Sequence, residues 1–177
     1  MKPESNSANA KPTLRGVLLS KITLWFLFAA SIVVFLDQST KELAIANLSP
    51  NVLTPAAPPL VNWYLIYNDS AAFSIGFGQT WIFTIISTLA ALALLWFGPK
   101  VKTVLWALLA GGLLGGVAGN LIDRLTRAPG VGVGQVVDFI SIPFHFPIFN
   151  VADSFICVVA VTIVILTMRG QKIGGGQ

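Results

Sequence analysis

VKTVLWALLAGGLLGGVAGNLIDR, residues Val101 to Arg124, decides the architecture. Between Val104 and Ile122 every residue is apolar or glycine except Asn120. That is close to the roughly 20 helical residues needed to cross a hydrocarbon core of about 30 Å. Gly111, Gly112, Gly115, Gly116 and Gly119 recur at the spacing that lets membrane helices approach closely. Asn120, Asp123 and Arg124 follow at i, i+3 and i+4, so all three project from one side of the end of this helix.

Working outward, three further stretches have the same character. The predicted spans are about 17–36, 80–97, 101–122 and 149–168. Composition agrees: 55% of the 177 residues are hydrophobic and 10% are charged, against about 25% charged in soluble domains. A water-soluble domain, a disordered tail protein and a nucleic-acid module are all disfavoured, and Lys and Arg form no stripe with interleaved aromatics. The first stretch has the basic lead of a cleavable signal peptide. Its length and the charged cluster after Leu36 favour a helix that is retained.

Positive residues accumulate on the cytoplasmic side of membrane proteins. Lys2, Lys11, Arg15, Lys21, Lys100, Lys102, Arg169 and Lys172 fall at one set of helix ends, and only Lys41, Arg124 and Arg127 at the other. Both termini are therefore expected in the cytoplasm. Asp37, Asp69, Asp123, Asp138 and Asp153 all lie at or near the opposite, outer face. The segments 1–13 and 171–177 read as flexible tails. The stretch from Glu42 to Gln79 carries Pro50, Pro55, Pro58 and Pro59 and the β-branched, aromatic run Leu60 to Tyr67, which predicts one or two short strands.

Ionisable side chains near hydrocarbon are costly, so each is a functional candidate by default. Asp37 and Lys41 pair at i and i+4 if the first helix continues through them. Asn68 and Asp69 read as a turn. Asp138 is flanked by apolar residues on both sides, and Asn150 precedes Asp153 as a candidate N-cap of the last helix. Two carboxylates brought together in a partly dry site cannot both ionise easily, so one keeps a proton and the other acts as a base toward water. That is aspartic peptidase chemistry. No H-E-x-x-H or G-x-S-x-G motif occurs, His145 is the single histidine and Cys157 the single cysteine. A transporter or proton relay built on Asp37, Asp123 and Asp153 is the alternative from another class, and a non-catalytic lipid-binding or assembly protein is a third.

With these residues in view, the chain resembles the signal peptidase II family of bacterial membranes, the lipoprotein signal peptidases. The motifs are D-Q-S-T-K at Asp37 to Lys41, N-D-S-A-A-F-S at Asn68 to Ser74, G-N-L-I-D-R at Gly119 to Arg124, V-V-D-F-I at Val136 to Ile140, and F-N-V-A-D-S at Phe149 to Ser154, in the family's order. The resemblance implies an all-α polytopic fold with four transmembrane helices and a small extracytoplasmic β-sheet cradle supplied by the loop between spans one and two. It implies one peptidase domain over residues 1–177, working without metal or cofactor, and we expect it to act as a monomer. The implied activity is removal of signal peptides from prolipoproteins that already carry diacylglycerol, at the outer face of the inner membrane. By motif, Asp138 and Asp153 would form the catalytic dyad. Asn68, Asn120, Arg124 and Asn150 would line the peptide site, Asp37, Lys41 and Asp123 would support the fold, and Ala152 would belong to the same binding and support set. Ser70 stands where the family's motif usually has glycine.

Overall fold

The computed structural model describes residues 20–69, 79–144 and 146–173. Four helices, α1 (Lys21–Asn47), α2 (Thr80–Phe97), α3 (Val104–Thr126) and α4 (Val151–Met168), are each long and apolar enough to cross a membrane. A three-stranded antiparallel sheet, β1 (Leu53–Ala57), β2 (Val61–Asn68) and β3 (Val136–Ser141), sits beside one end of the bundle in the order β1-β2-β3. The predicted four-helix membrane fold with a small sheet is what forms.

α3 is the central helix and packs against each of the other three. Half of its most apolar window is buried, against 11% for α4. The glycines make this possible. A methyl group added at Gly115 would lie 2.6 Å from the Cβ of Val33 and 2.8 Å from the carbonyl oxygen of Ala30 on α1. One added at Gly116 would lie 2.8 Å from the carbonyl oxygen of Ala152 on α4. Two glycine rows on neighbouring faces of α3 thus seat α1 and α4 backbone to backbone. Gly115→Leu is expected to destabilise by about 1–3 kcal/mol through overpacking. Gly130→Ala, where nothing lies within 4 Å, should stay within about 0.5 kcal/mol of the parent. Melting temperatures in detergent check both.

Exposed Leu, Val, Ile and aromatic side chains of α2 and α4, among them Leu92, Trp96, Val158 and Val161, form the surface that hydrocarbon would cover. Three of the four helix starts are capped from the sequence: Ser20 accepts from the Thr23 amide, Thr103 from that of Trp106, and Asn150 from that of Asp153.

The fold departs from the sequence reading in two places. The first helix continues to Asn47 instead of stopping at Leu36, because the charges of Asp37 and Lys41 are paired inside the bundle and do not need water. At about 1.5 Å per residue its 27 residues reach roughly 40 Å, beyond the hydrocarbon thickness. The sheet also draws a third strand, β3, from the connection between α3 and α4, so the cradle does not come from the first outer loop alone. Pro55 lies on β1, an edge strand, where a missing N–H is tolerated. Val137 and Phe139 pack with Leu65 and with Ala44 of α1, and this cluster fixes the sheet to the protruding end of α1.

Candidate functional site

Four elements bring the polar motifs to one end of the bundle. β3 carries Asp138, β2 ends in Asn68, α3 ends with Asn120, Asp123 and Arg124, and α4 begins with Asn150 and Asp153. The link between β3 and α4 is tied at its base: the amides of Phe139 and Ile140 donate to the carbonyl of Phe149, and the Phe149 amide returns a bond to Ile140 at 3.1 Å. Asn150 is thereby delivered beside Asp138.

Asn150 joins the two candidate carboxylates. Its side-chain Oδ1 accepts from the Asp153 amide at 2.9 Å, while its own backbone N–H donates to Asp153 Oδ2 at 3.1 Å, a reciprocal capping box. A backbone N–H can only donate, so the Asn150 oxygen must face it and the amide NH2 must turn the other way. There Nδ2 donates to Asp138 Oδ1 at 2.7 Å. The other Asp138 oxygen accepts from Asn68 Nδ2 at 2.8 Å. Asn68 is in register opposite Val136, so it reaches Asp138 along the diagonal of the antiparallel pair. On Asp153, Oδ1 accepts from Asn120 Nδ2 at 2.7 Å. Each of the four carboxylate oxygens therefore receives one N–H bond.

Asp138 is 2% exposed. Burial first, and the neighbouring charge of Asp153 second, push its carboxyl up to about 7, against the opposing donors Asn68 and Asn150. Arg124 is more than nine-tenths buried. Its guanidinium feels the charges of Asp153, Asp138 and Asp123, stands 6.0 Å from the Phe83 ring, and makes one long bond to the Asn120 carbonyl at 3.4 Å. Its Nε meets no acceptor among the described residues.

Behind these groups lies a buried ionic network. Lys41 Nζ pairs with Asp37 at 2.8 Å and Asp123 at 2.7 Å, all three side chains being fully buried. Asp37 Oδ1 accepts the Ala152 amide at 2.9 Å, and Asp123 Oδ2 accepts the Val137 amide at 3.2 Å. All the sequence-derived candidates, Asp37, Lys41, Asn68, Asn120, Asp123, Arg124, Asp138, Asn150, Ala152 and Asp153, thus meet at one end of the bundle. Ser70 and the rest of its motif to Ser74 lie outside the described residues, as does His145.

Two contributors were not anticipated. Gln38 donates to Asp37, to the Gly119 carbonyl and to Asp123. Arg127 pairs with Asp123 at 2.8 Å and with Glu42 at 2.8 Å. The i,i+4 spacing of Asp123 and Arg127 is the signal that could have found the second. Gln38 gives none beyond its place in the D-Q-S-T-K motif.

The chain is also similar to known proteins. A sequence profile described as Signal peptidase (SPase) II matches residues 29–169, a range holding every candidate above. The lipoprotein signal peptidase of Leifsonia xyli subsp. xyli is 42% identical over 143 residues, 81% of this chain and 66% of that protein. That of Mycolicibacterium smegmatis is 40% identical over 144 residues, 81% of this chain and 61% of that protein. That of Mycobacterium tuberculosis is 41% identical over 164 residues, 93% and 77%. The chain thus spans just under two thirds of the length of the first two. A solved bacterial membrane enzyme, determined by the in meso method at 2.3 Å, superposes with a TM-score of 0.73 at 28% identity, covering 86% of this chain and 94% of that one. With the profile running from the first third of α1 to just past the end of α4, and relatives of one name at about 40% identity, the chain belongs to the signal peptidase II family.

Proposed function

We propose that this chain is a membrane aspartic endopeptidase that removes signal peptides from diacylglyceryl-modified bacterial prolipoproteins, with Asp138 and Asp153 as its catalytic pair. The observation that carries the reading is Asn150, which bonds both carboxylates at once. A buried acid pushed up to about 7 beside a second acid is how a pair of this kind shares one proton.

In this mechanism Asp138 holds the proton at rest and Asp153 is the ionised partner. Asp153 takes a proton from water, the resulting hydroxide attacks the scissile carbonyl carbon, and Asp138 gives its proton to the developing oxyanion. Collapse of the tetrahedral intermediate breaks the C–N bond: the proton held by Asp153 leaves with the new amine, and one hydroxyl proton of the intermediate returns to Asp138, giving the free carboxyl product and restoring the pair. Arg124 Nε, buried and uncommitted among the described residues, donates to a substrate carbonyl, and Asn68 and Asn120 line the same groove. The Lys and Arg counts support an orientation with both termini in the cytoplasm and this end of the bundle at the outer face of the inner membrane. The substrate's signal helix and acyl chains then share the bilayer with the enzyme, which positions the scissile bond at the interface. The reading treats the chain as one domain acting as a monomer.

A pH dependence follows. The folded Asp138 retains a proton up to about 7 that an unfolded aspartate releases near 3.9. Its contribution to stability is fully present below the lower value and lost as pH rises to the upper one. Activity moves the same way: above about 7 both acids ionise, and kcat/KM should fall with a slope of about tenfold per pH unit. A rate profile that stays flat to pH 9 would contradict the assignment of Asp138 as the acid.

The direct test is gel-shift cleavage of a diacylglyceryl-modified prolipoprotein by detergent-purified protein, beside the unlipidated precursor. Cleavage restricted to the lipidated form is expected. Folded protein that cleaves neither, while passing ions across liposomes, would favour the relay reading.

A further inference from the structure

Lys41 makes three bonds, and the third does not belong to the ionic brace. Two go to Asp37 Oδ2 and Asp123 Oδ2. The last goes to Asn120 Oδ1 at 3.0 Å, an oxygen that also accepts from Asn150 Nδ2 at 3.1 Å. An ammonium group has three donors and no acceptor, so the Asn120 amide must present its oxygen to Lys41. Its NH2 is then turned toward Asp153 Oδ1, 2.7 Å away. The flipped amide would set NH2 against the ammonium and a carbonyl oxygen against the Asp153 carboxyl, two contacts of like polarity in a buried site. Asp37 works on the same target from the other side, because its Oδ1 holds the amide of Ala152, the residue before Asp153.

We infer that the Asp37–Lys41 pair is a positioning element of the peptidase reaction: Lys41 locks the Asn120 amide in the orientation that donates to Asp153, while Asp37 holds the backbone turn on which Asp153 stands. The inference rests on the peptidase reading above. Lys41 is 0% exposed, so it has no surface with which to meet substrate, and its hydrogen-bonded route to Asp153 runs through Asn120. If the pair were a brace for the bundle alone, its bonds to Asp123 and Ala152 would suffice, and no bond to Asn120 would be needed.

The test is a cycle of steady-state cleavage measurements on a diacylglyceryl-modified prolipoprotein, using the parent, Lys41→Met, Asn120→Ala and the two combined. Lys41→Met is expected to lower kcat about 10²-fold, the scale of a small misplacement of a reacting group, with KM within about twofold. In the Asn120→Ala background the same change should cost no more than about threefold, because the hydrogen-bonded route from Lys41 to Asp153 is already cut and only the longer-range effect of its charge remains. Since Lys41→Met leaves two buried carboxylates facing each other, Lys41→Met/Asp37→Asn is measured beside it. That protein keeps the Asp123–Arg127 pair and an acceptor for the Ala152 amide. Melting temperatures are taken for all. A folded Lys41 variant with parental kcat overturns the inference, as do losses that multiply in the Asn120→Ala background. Loss of folded protein in both Lys41 variants assigns the pair to bracing and overturns it too. Folded parent protein that does not cleave removes the peptidase reading itself, and this inference with it.

Discussion

Asp138→Asn and Asp153→Asn are each expected to lower kcat by at least about 10²–10⁴-fold, the scale of a lost general acid or base, while the protein stays folded. Asparagine keeps the size of the side chain and one acceptor oxygen, so the bonds from Asn150 can persist in both variants. On the proposed mechanism, what disappears is the proton that the two acids share. At position 138 the substitution also removes a carboxyl that burial and Asp153 hold at about 7, so the melting temperature above neutral pH should not fall. Single-turnover cleavage, normalised to folded protein, is the measurement. Either variant cleaving within tenfold of the parent would sink the assignment of the pair.

Asp123→Ala is expected to give the largest loss of stability, about 3–5 kcal/mol, because it strips partners from a buried charge. Its two oxygens hold Lys41, Arg127, Gln38 and the Val137 amide. The Val137 bond is the direct tie from α3 to the strand that carries Asp138, so activity should fall with stability. Glu42→Ala, which removes the outer partner of Arg127 at a side chain 65% exposed, should cost only about 0.2–1 kcal/mol. Thermal melts in detergent at neutral pH distinguish the two, and equal shifts would mean that the network's burial contributes nothing.

Most of the fold was legible in the chain because hydrocarbon imposes a length on each helix. The second span was expected at 80–97 and is found at Thr80–Phe97. The fourth begins two residues later than expected, at Val151, since Asn150 caps it. The first helix was cut short at Leu36 because a polar run inside a span reads as an exit to water. Only the pairing of Asp37 and Lys41 with Asp123, 82 residues further on than Lys41, shows that the charges face inward. β3 was missed for a related reason: Val136 to Phe139 are all buried, so the strand lacks the alternation that marks a half-exposed one. Motif order was enough to name the ten candidate residues but not their bonds. That Asn150 joins both acids depends on the Phe149–Ile140 backbone bridge, a tertiary contact with no local signature.

That bridge also separates two lengths of chain. The path leaves β3 after Ser141 and returns to the Ile140 rung at Phe149, so the stretch between them forms a side circuit whose ends are already fastened together. Adding residues to a closed loop costs little, about 0.6 kcal/mol for each doubling of its length, and leaves the positions of Asp138 and Asn150 unchanged. This circuit is accordingly a place where an epitope or a fluorescent reporter can be spliced beside the acid pair without retuning it, giving a signal from the neighbourhood of that pair.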